Sequence, residues 1–441
     1  MTGLITTSGR QWEDWSAEYK FLSKERFDPG VVFGTVRRGV VGHLAPDEPL
    51  VVAMDDTTTH KAGRKIPGAA WKRDPLGPPF HTNFVWGRRF LQISALAPAG
   101  REDAPGRAIP IDLLHAPSPK KPPAKAPPEA WDAYREEARA TSLGRRAAGR
   151  LSALRAGMDA DGEGGRPLWV CGDGGYTNRT VLRNLPCRTV MVGRVRSDAV
   201  MHPPPDPDAP PARGRRRLYG SATVTPEGVR QDGAIPWQTA PVYAAGKVHE
   251  LKFKTVGPLL WRAAGPDLPM RLLVIAPLAY RPSKGSRLLY RNPAYLVCTD
   301  PEVATDAVLK AYMSRWDIEV NFRDEKQIFG LDEAQVRTEP GARLAPALAV
   351  GAYALLLLAA TRAFGANGVP EALPAPKWRR GTLPPRASTG AFVNHLRFEM
   401  WSRTIGAGNF THFASESPPT AKSEKTLPHL PSAIFCAQPA A

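Results

Sequence analysis

The stretch Tyr312–Lys326 reads YMSRWDIEVNFRDEK, and its spacing decides how the rest of the chain is read. Tyr312, Arg315, Glu319 and Lys326 stand at offsets of 0, 3, 7 and 14. At about 100° per residue, a helix puts all four within roughly a 60° arc of one face. One carboxylate is then flanked along a single ridge by a phenol and two cations. A carboxylate can hold a divalent metal, and cations beside it can hold the phosphates of the strand that the metal attacks. Met313, Trp316 and Val320 form a neighbouring apolar stripe, expected to dock the helix on a sheet. Asp317, Asp324 and Glu325 fall off the ridge and are expected to be solvated or paired. Most charged runs of this kind are plain solvated faces, and the register of four positions argues against that here.

Working outward, the chain of 441 residues is long enough for one large domain with an insertion, or for two. Its formal charge of +17 points to a polyanionic partner. The basic residues fall in short clusters, at Lys61, Arg64, Lys65, Lys72 and Arg73, at Arg213 to Arg217, and at Lys377, Arg379 and Arg380. That spread suits a long nucleic-acid footprint better than a polybasic membrane tail. Cys171, Cys187, Cys298 and Cys436 form no paired motif, which argues against a disulfide scaffold or zinc finger and for a reduced, cytoplasmic protein. The first residues carry no signal-peptide core. The apolar run Leu344 to Ala360 contains Pro346 and Gly351 and follows the charged helix directly, so a buried core helix is expected and no membrane partner.

The order of elements points to an α/β fold. A short segment, 1–44, is helical from Gln11 and then irregular. Pro49 to Met54 is an apolar strand ending at Asp55, Asp56 and a threonine run; Phe84 to Leu96, turning at Gly87, and Ala108 to Leu114 complete an antiparallel meander. A Pro/Lys linker at 117–128 leads into a helix from Glu129 to Met158. Then come a strand at Leu168 to Cys171, the turn GDGGYTN, a helix from Asn178 to Leu185 and a strand at Thr189 to Val195. Residues 197–293 have the character of a β-rich insertion. Strand Ala294 to Cys298 resumes the core, and Asp300-Pro301-Glu302 starts a helix that Gly330 stops. The core thus spans 45–196 and 294–370. Residues 371–441 form a basic, Pro-rich tail expected to be loosely ordered apart from a helix near Phe392–Trp401.

Three strands followed by helix, strand, helix and strand match the ribonuclease-H-like layout, a mixed sheet flanked by helices and here interrupted by the insertion. In that layout one acid ends the first strand, one follows the fourth and one lies on a late helix. The chain offers Asp55 or Asp56, Asp173 and Glu319 at those places. Asp55 and Asp56 both fit Asp-x-Thr; neighbouring strand residues face opposite ways, so only one can serve. Two-metal phosphodiester cleavage needs acids from separate elements holding ions about 3.5–4 Å apart.

The spacing Tyr-x2-Arg-x3-Glu-x6-Lys, together with MDDTTTHKAG at 54–63, resembles the signature of a large group of DDE transposases of bacterial insertion sequences. The likeness covers roughly residues 45–365. It implies metal-dependent cutting of element ends and their transfer to target DNA, with two Mg²⁺ ions for which Mn²⁺ substitutes. Asp55 is favoured over Asp56, because the family's leading Asp is the ligand. Tyr312, Arg315 and Lys326 would hold double-stranded DNA at the element's terminal repeats, with a homodimer on the paired ends. Trp237, Trp261 and Tyr290 are candidates for an aromatic contact to a flipped base. The sequence Asp-Gly-Gly-Tyr-Thr-Asn after the fourth strand departs from the family's usual Asp-Arg-Gly. The alternatives are a cleavage-inactive descendant that binds DNA, or another nuclease on the same core.

Overall fold

The computed structural model describes residue 5 and residues 12–405, apart from 62, 75–76, 78–79, 99–103, 207–216, 245, 284, 332, 334–335 and 369–385. Arg213 to Arg216, Lys377, Arg379, Arg380, Cys436 and most of the expected tail lie outside the described residues.

Helices α1 (Ser16–Ser23) and α2 (Pro29–Val41) precede the sheet. The stretch expected to be irregular therefore holds α2. Asp28 caps it, its Oδ1 accepting from Gly30 N–H at 2.8 Å, and Pro29 occupies the first turn. The meander follows as β1 (Leu50–His60), β2 (Ala70–Arg73), β3 (Phe84–Ala97) and β4 (Arg107–His115). β1 runs straight through Asp55 and Asp56 instead of ending there, and β3 passes Gly87 without turning. A Cβ on Gly87 would meet the carbonyl oxygen of Thr59, so the two strands close up only because that position is glycine.

The expected long helix is two, α3 (Pro128–Ala140) and α4 (Leu143–Ala160), broken at Thr141-Ser142. Then come β5 (Leu168–Gly172), the one-turn α5 (Arg179–Leu182), β6 (Thr189–Arg194), β7 (Met201–His202) and α6 (Pro226–Gln231). The strands β8 (Gln238–Ala244), β9 (Lys247–Trp261), β10 (Gly265–Ile275), β11 (Ala279–Tyr280), β12 (Leu289–Tyr290) and β13 (Ala294–Cys298) follow. The chain continues through α7 (Thr305–Ser314), α8 (Asp317–Gln327), α9 (Glu339–Phe364) and α10 (Thr389–Ile405).

Among the described residues, eleven strands form one mixed sheet. β3 lies antiparallel to both β1 and β4, while β5 is parallel to β1 and β6 parallel to β5. β13 then adds antiparallel to β6, and β10 and β9 continue beyond it. The β-rich stretch is thus a continuation of the central sheet. Along β1, Leu50, Val52 and Met54 share the larger core with residues of α2, α4 and α9. On the opposite face Ala53 packs with Ile318 and Phe322 of α8. Helices therefore cover both faces.

The apolar helix α9 is long and apolar enough to cross a membrane, but 61% of its most apolar window is buried inside the protein. It packs on α2 and β4.

Candidate active site

Alternation along β1 separates the two neighbouring acids. Asp56 turns to the face of the larger core, where its Oδ1 accepts from Tyr176 Oη at 2.7 Å and its Oδ2 lies 3.2 Å from Arg89 Nε. Both its oxygens are engaged by groups that tie the loop after β5 to the meander. Asp55 turns to the α8 face. Its Oδ1 accepts from the Asp56 backbone N–H at 2.8 Å and its Oδ2 from Arg315 Nη1 at 3.1 Å.

Asp173 arrives beside Asp55 through strand register. Met54 pairs with Gly172 in the parallel β1–β5 ladder, so the next residue of each strand is the acid. The loop DGGYTN is tightly held. Gly175 N–H donates to Asp173 Oδ1 at 2.8 Å, and Thr177 Oγ1 donates to the Asp173 carbonyl at 2.9 Å. Thr177 fits because β6 carries Gly193, where a Cβ would collide with the threonine side chain. Asn178 Oδ1 caps α5 by accepting from Thr180 and Val181. The departure from the family wording thus has local roles: Tyr176 anchors Asp56, Thr177 holds the Asp173 backbone and Asn178 starts the helix.

The third acid comes from a helix break. The sequence predicts a single helix from Asp300 to Gly330; instead α7 begins at Thr305, and Asp300 Oδ1 accepts from Glu302 N–H within a turn. α7 ends at Ser314 and α8 starts at Asp317. Across the break the backbone tightens to bonds three residues apart, Arg315 N–H to Tyr312 O at 3.2 Å and Glu319 N–H to Trp316 O at 3.0 Å. Tyr312 and Arg315 therefore close one helix while Glu319 and Lys326 ride on the next.

The break also changes which side docks. Of the expected stripe, Met313 packs against the core beneath α7, Val320 is half-buried, and Trp316 does not dock, being 66% exposed. Ile318, Asn321, Phe322 and Glu325 face the sheet instead. Asp317 pairs with Arg386 at 2.7 Å, and Asp324 with Arg323 at 2.8 Å, as off-ridge acids should. Glu325 departs from that expectation: it is completely buried, accepting from Gln92 Nε2 at 2.9 Å.

Electrostatics link the separated parts. Burial holds Asp55 far above the usual carboxylate range, at about 7; Asp173 and Glu319 add to the rise, while the Asp56 N–H and Arg315 oppose it. Burial also works against the Arg315 charge, but Tyr312, Asp55, Asp173 and Glu319 more than offset it. The Arg315 guanidinium carbon lies 5.6 Å from the Tyr312 ring centre. Asp55, Asp173 and Glu319 thus share one neighbourhood around Arg315. Lys326 sits half-buried in the last turn of α8, about 10 Å along the helix from Glu319.

Among the described residues, no three metal-binding side chains close into a tight cluster. Arg315 holds Asp55 in that arrangement. The donor set is nonetheless that of a hard divalent cation, carboxylates without histidine or thiolate. Burial and neighbouring negative charge disfavour the ionised form of Asp55, and a bound cation would favour it.

Behind Asp173 opens a cavity of about 880 Å³, lined by Gly174, Arg179, Arg194, Arg196, Trp261 and Tyr295 among others. Of the three aromatic candidates, Trp261 lines it. Trp237 stacks under Lys254 at 4.7 Å, and Tyr290 lies 64% exposed in the β11–β12 ribbon. Sequence reasoning missed the exposed Trp316 beside Arg315, and missed the arginines of this cavity, which are scattered singly through 179–196. No protein-family model matches the chain, and no curated protein matches it either.

Proposed function

We propose that the chain is a DDE transposase with a ribonuclease-H-like core, cutting the ends of an insertion sequence and joining the freed 3′ hydroxyls to target DNA. The observation that carries this is the Arg315 Nη1–Asp55 Oδ2 hydrogen bond at 3.1 Å, with Asp173 brought beside Asp55 by the β1–β5 register and Glu319 in the first turn of the helix that follows Arg315. The antiparallel trio β1, β3 and β4 beside the parallel β5 and β6 supports the ribonuclease-H-like reading.

Asp55, Asp173 and Glu319 are the residues that hold two Mg²⁺ ions in this reading. The ions supply activation of the attacking oxygen and neutralise charge on the leaving one. Arg315, beside Asp55 at 3.1 Å and steadied by the Tyr312 ring, would be placed to hold the cut phosphate. Lys326 holds a phosphate further along the strand. Trp316 offers a flat apolar face to a base at the cut end. The arginine-lined cavity next to Asp173 receives the displaced nucleotide, with Trp261 in its wall. Cutting both ends in concert calls for a homodimer on double-stranded DNA, acting in the cytoplasm.

The test uses a labelled duplex carrying the terminal inverted repeats that flank the coding sequence, a supercoiled plasmid and Mg²⁺. Label joined covalently to the plasmid, and absent in EDTA, is the expected result. Nicks without joined product would make the protein a nuclease only, and neither product would leave it a DNA-binding descendant.

A further inference from the structure

The far end of the meander holds a basic and aromatic feature that catalysis leaves unused. β1 continues five residues past Asp55 to His60, and β3 continues alongside to meet β2, with Ala70 opposite Gly87 and Arg73 opposite Phe84. Gln92 is the cross-strand partner of Asp55, and Phe84 lies eight residues beyond it on β3. At about 3.4 Å per residue, the tip therefore stands roughly 17–27 Å from the acid along the strand direction.

Between positions 61 and 83 the sequence carries Lys61, Arg64, Lys65, Lys72 and Arg73 against a single acid, Asp74. Arg64, Lys65 and Arg73 are exposed. So are three large rings, Trp71 at 56%, Phe80 at 89% and Phe84 at 61%. The connection from β1 to β2 is folded back onto the strands. Trp86 Nε1 donates to Gly63 O at 3.0 Å, and the Arg64 guanidinium carbon lies 4.9 Å from the Trp71 ring centre and 5.1 Å from that of Trp86. Lys72 is buried, its Nζ donating to Ser118 Oγ at 2.9 Å, which fastens the linker bearing exposed Lys120, Lys121 and Lys125 beside the tip.

Cations interleaved with exposed aromatic rings fit phosphates and sugar faces of a nucleic acid. Strand register sets only how far the tip lies from the cut site. A duplex with its cut phosphate at Asp55 and lying along β1 passes the tip about five to eight base pairs away, at about 3.4 Å per pair. We propose that the β1–β2–β3 tip is a second contact with duplex DNA, gripping the backbone of the segment that runs on from the cut site. The direction of the duplex rests on the transposase reading; the contact rests on the tip's own charges.

The experiment compares duplexes that extend 3 or 15 base pairs on each side of the cut site, bound by wild type and by Lys65→Ala/Arg73→Ala. This double variant leaves the Arg64 stack intact, and a melting curve checks that it folds. The expected result is tighter wild-type binding to the long duplex. In the variant that gain falls by about tenfold and the salt slope on the long duplex by about two units, one for each phosphate no longer neutralised. Binding and nicking of the short duplex stay at wild-type levels. Wild-type affinity and slope for the variant on the long duplex, or an equal weakening on both duplexes, overturns the proposal. A wild type that nicks neither duplex, while the variant still forfeits the long-duplex gain, keeps the contact and removes the catalytic reading.

Discussion

Glu325 sits sealed between α8 and β3. One of its oxygens accepts from Gln92, and the other has no hydrogen-bond partner among the described residues. Burial pushes its pKa up to about 8, with the Gln92 hydrogen bond and Lys326 only partly opposing, so the side chain is protonated at neutral pH. A pKa raised on folding stabilises fully below the unfolded value of 4.5, and that contribution is lost as pH rises through about 8. Glu325→Gln keeps the shape and removes the titration. Its melting temperature should match wild type near pH 4.5 and exceed it by a few degrees at pH 8.5; parallel melting curves at both pH values contradict this. Individual residues were read unevenly from the sequence. The preference for Asp55 comes from the family resemblance, in which the leading Asp is the ligand; strand alternation alone leaves the choice open, and the structure turns Asp56 to Tyr176 and Arg89 on the other face. Glu325 was unreadable because a carboxylate carries no mark of burial until its neighbours are known. Three of the five buried positions of α8 are polar, Asn321, Asp324 and Glu325, which hid the true face behind the more hydrophobic Trp316.

Among elements, α8 is the one whose placement matters most, since it carries Glu319. Ile318 is fully buried in a small cluster with Ala53, Leu96, Ala108 and Phe322. Asn321 adds hydrogen bonds at 3.0 Å to the Ala108 carbonyl and to Tyr353 Oη, and Ser94 donates to its Oδ1 at 2.9 Å. Ile318→Ala should cost about 2–5 kcal/mol and let the helix shift, whereas Ile318→Val should cost about 1 kcal/mol. The prediction is a fall in nicking rate for the alanine variant, measured well below its melting point, with DNA affinity retained; the valine variant should keep its rate. Full activity in the alanine variant would mean that docking does not set the glutamate's position. The strands of the core were legible because their apolar runs are continuous and bounded by turn residues. The helix boundaries were less so. Asp300-Pro301-Glu302 has the chemistry of a helix start, yet it serves a turn, and the Arg315-Trp316 break leaves no trace in composition because both residues remain in the right-handed helical region.

At the scale of the whole molecule, the stretch 197–293, expected as an insertion, extends the central sheet and packs against α7. Ala240, Val242, Leu251 and Phe253 of β8 and β9 share a core with Val308, Leu309 and Ala311 of α7. The helix that carries Tyr312 and leads into Arg315 therefore leans on β8 and β9, which in turn extend the sheet carrying Asp55 and Asp173. That merger was not readable from sequence, because strand character says nothing about which sheet a strand joins. The convergence of acids from positions 55, 173 and 319 is the central claim, and one nicking assay tests it most directly. Wild type, Asp55→Asn, Asp56→Asn and Glu319→Gln are incubated with a labelled end duplex in Mg²⁺, with DNA affinity measured separately in Ca²⁺. Asp55→Asn and Glu319→Gln should bind as wild type does yet nick about a hundredfold more slowly or worse, the loss of several kcal/mol of charge stabilisation. Asp56→Asn should stay within about tenfold of wild type, since in this fold its loss costs anchoring and no metal ligand. Nicking that survives EDTA, or that survives Asp55→Asn but not Asp56→Asn, would contradict the account.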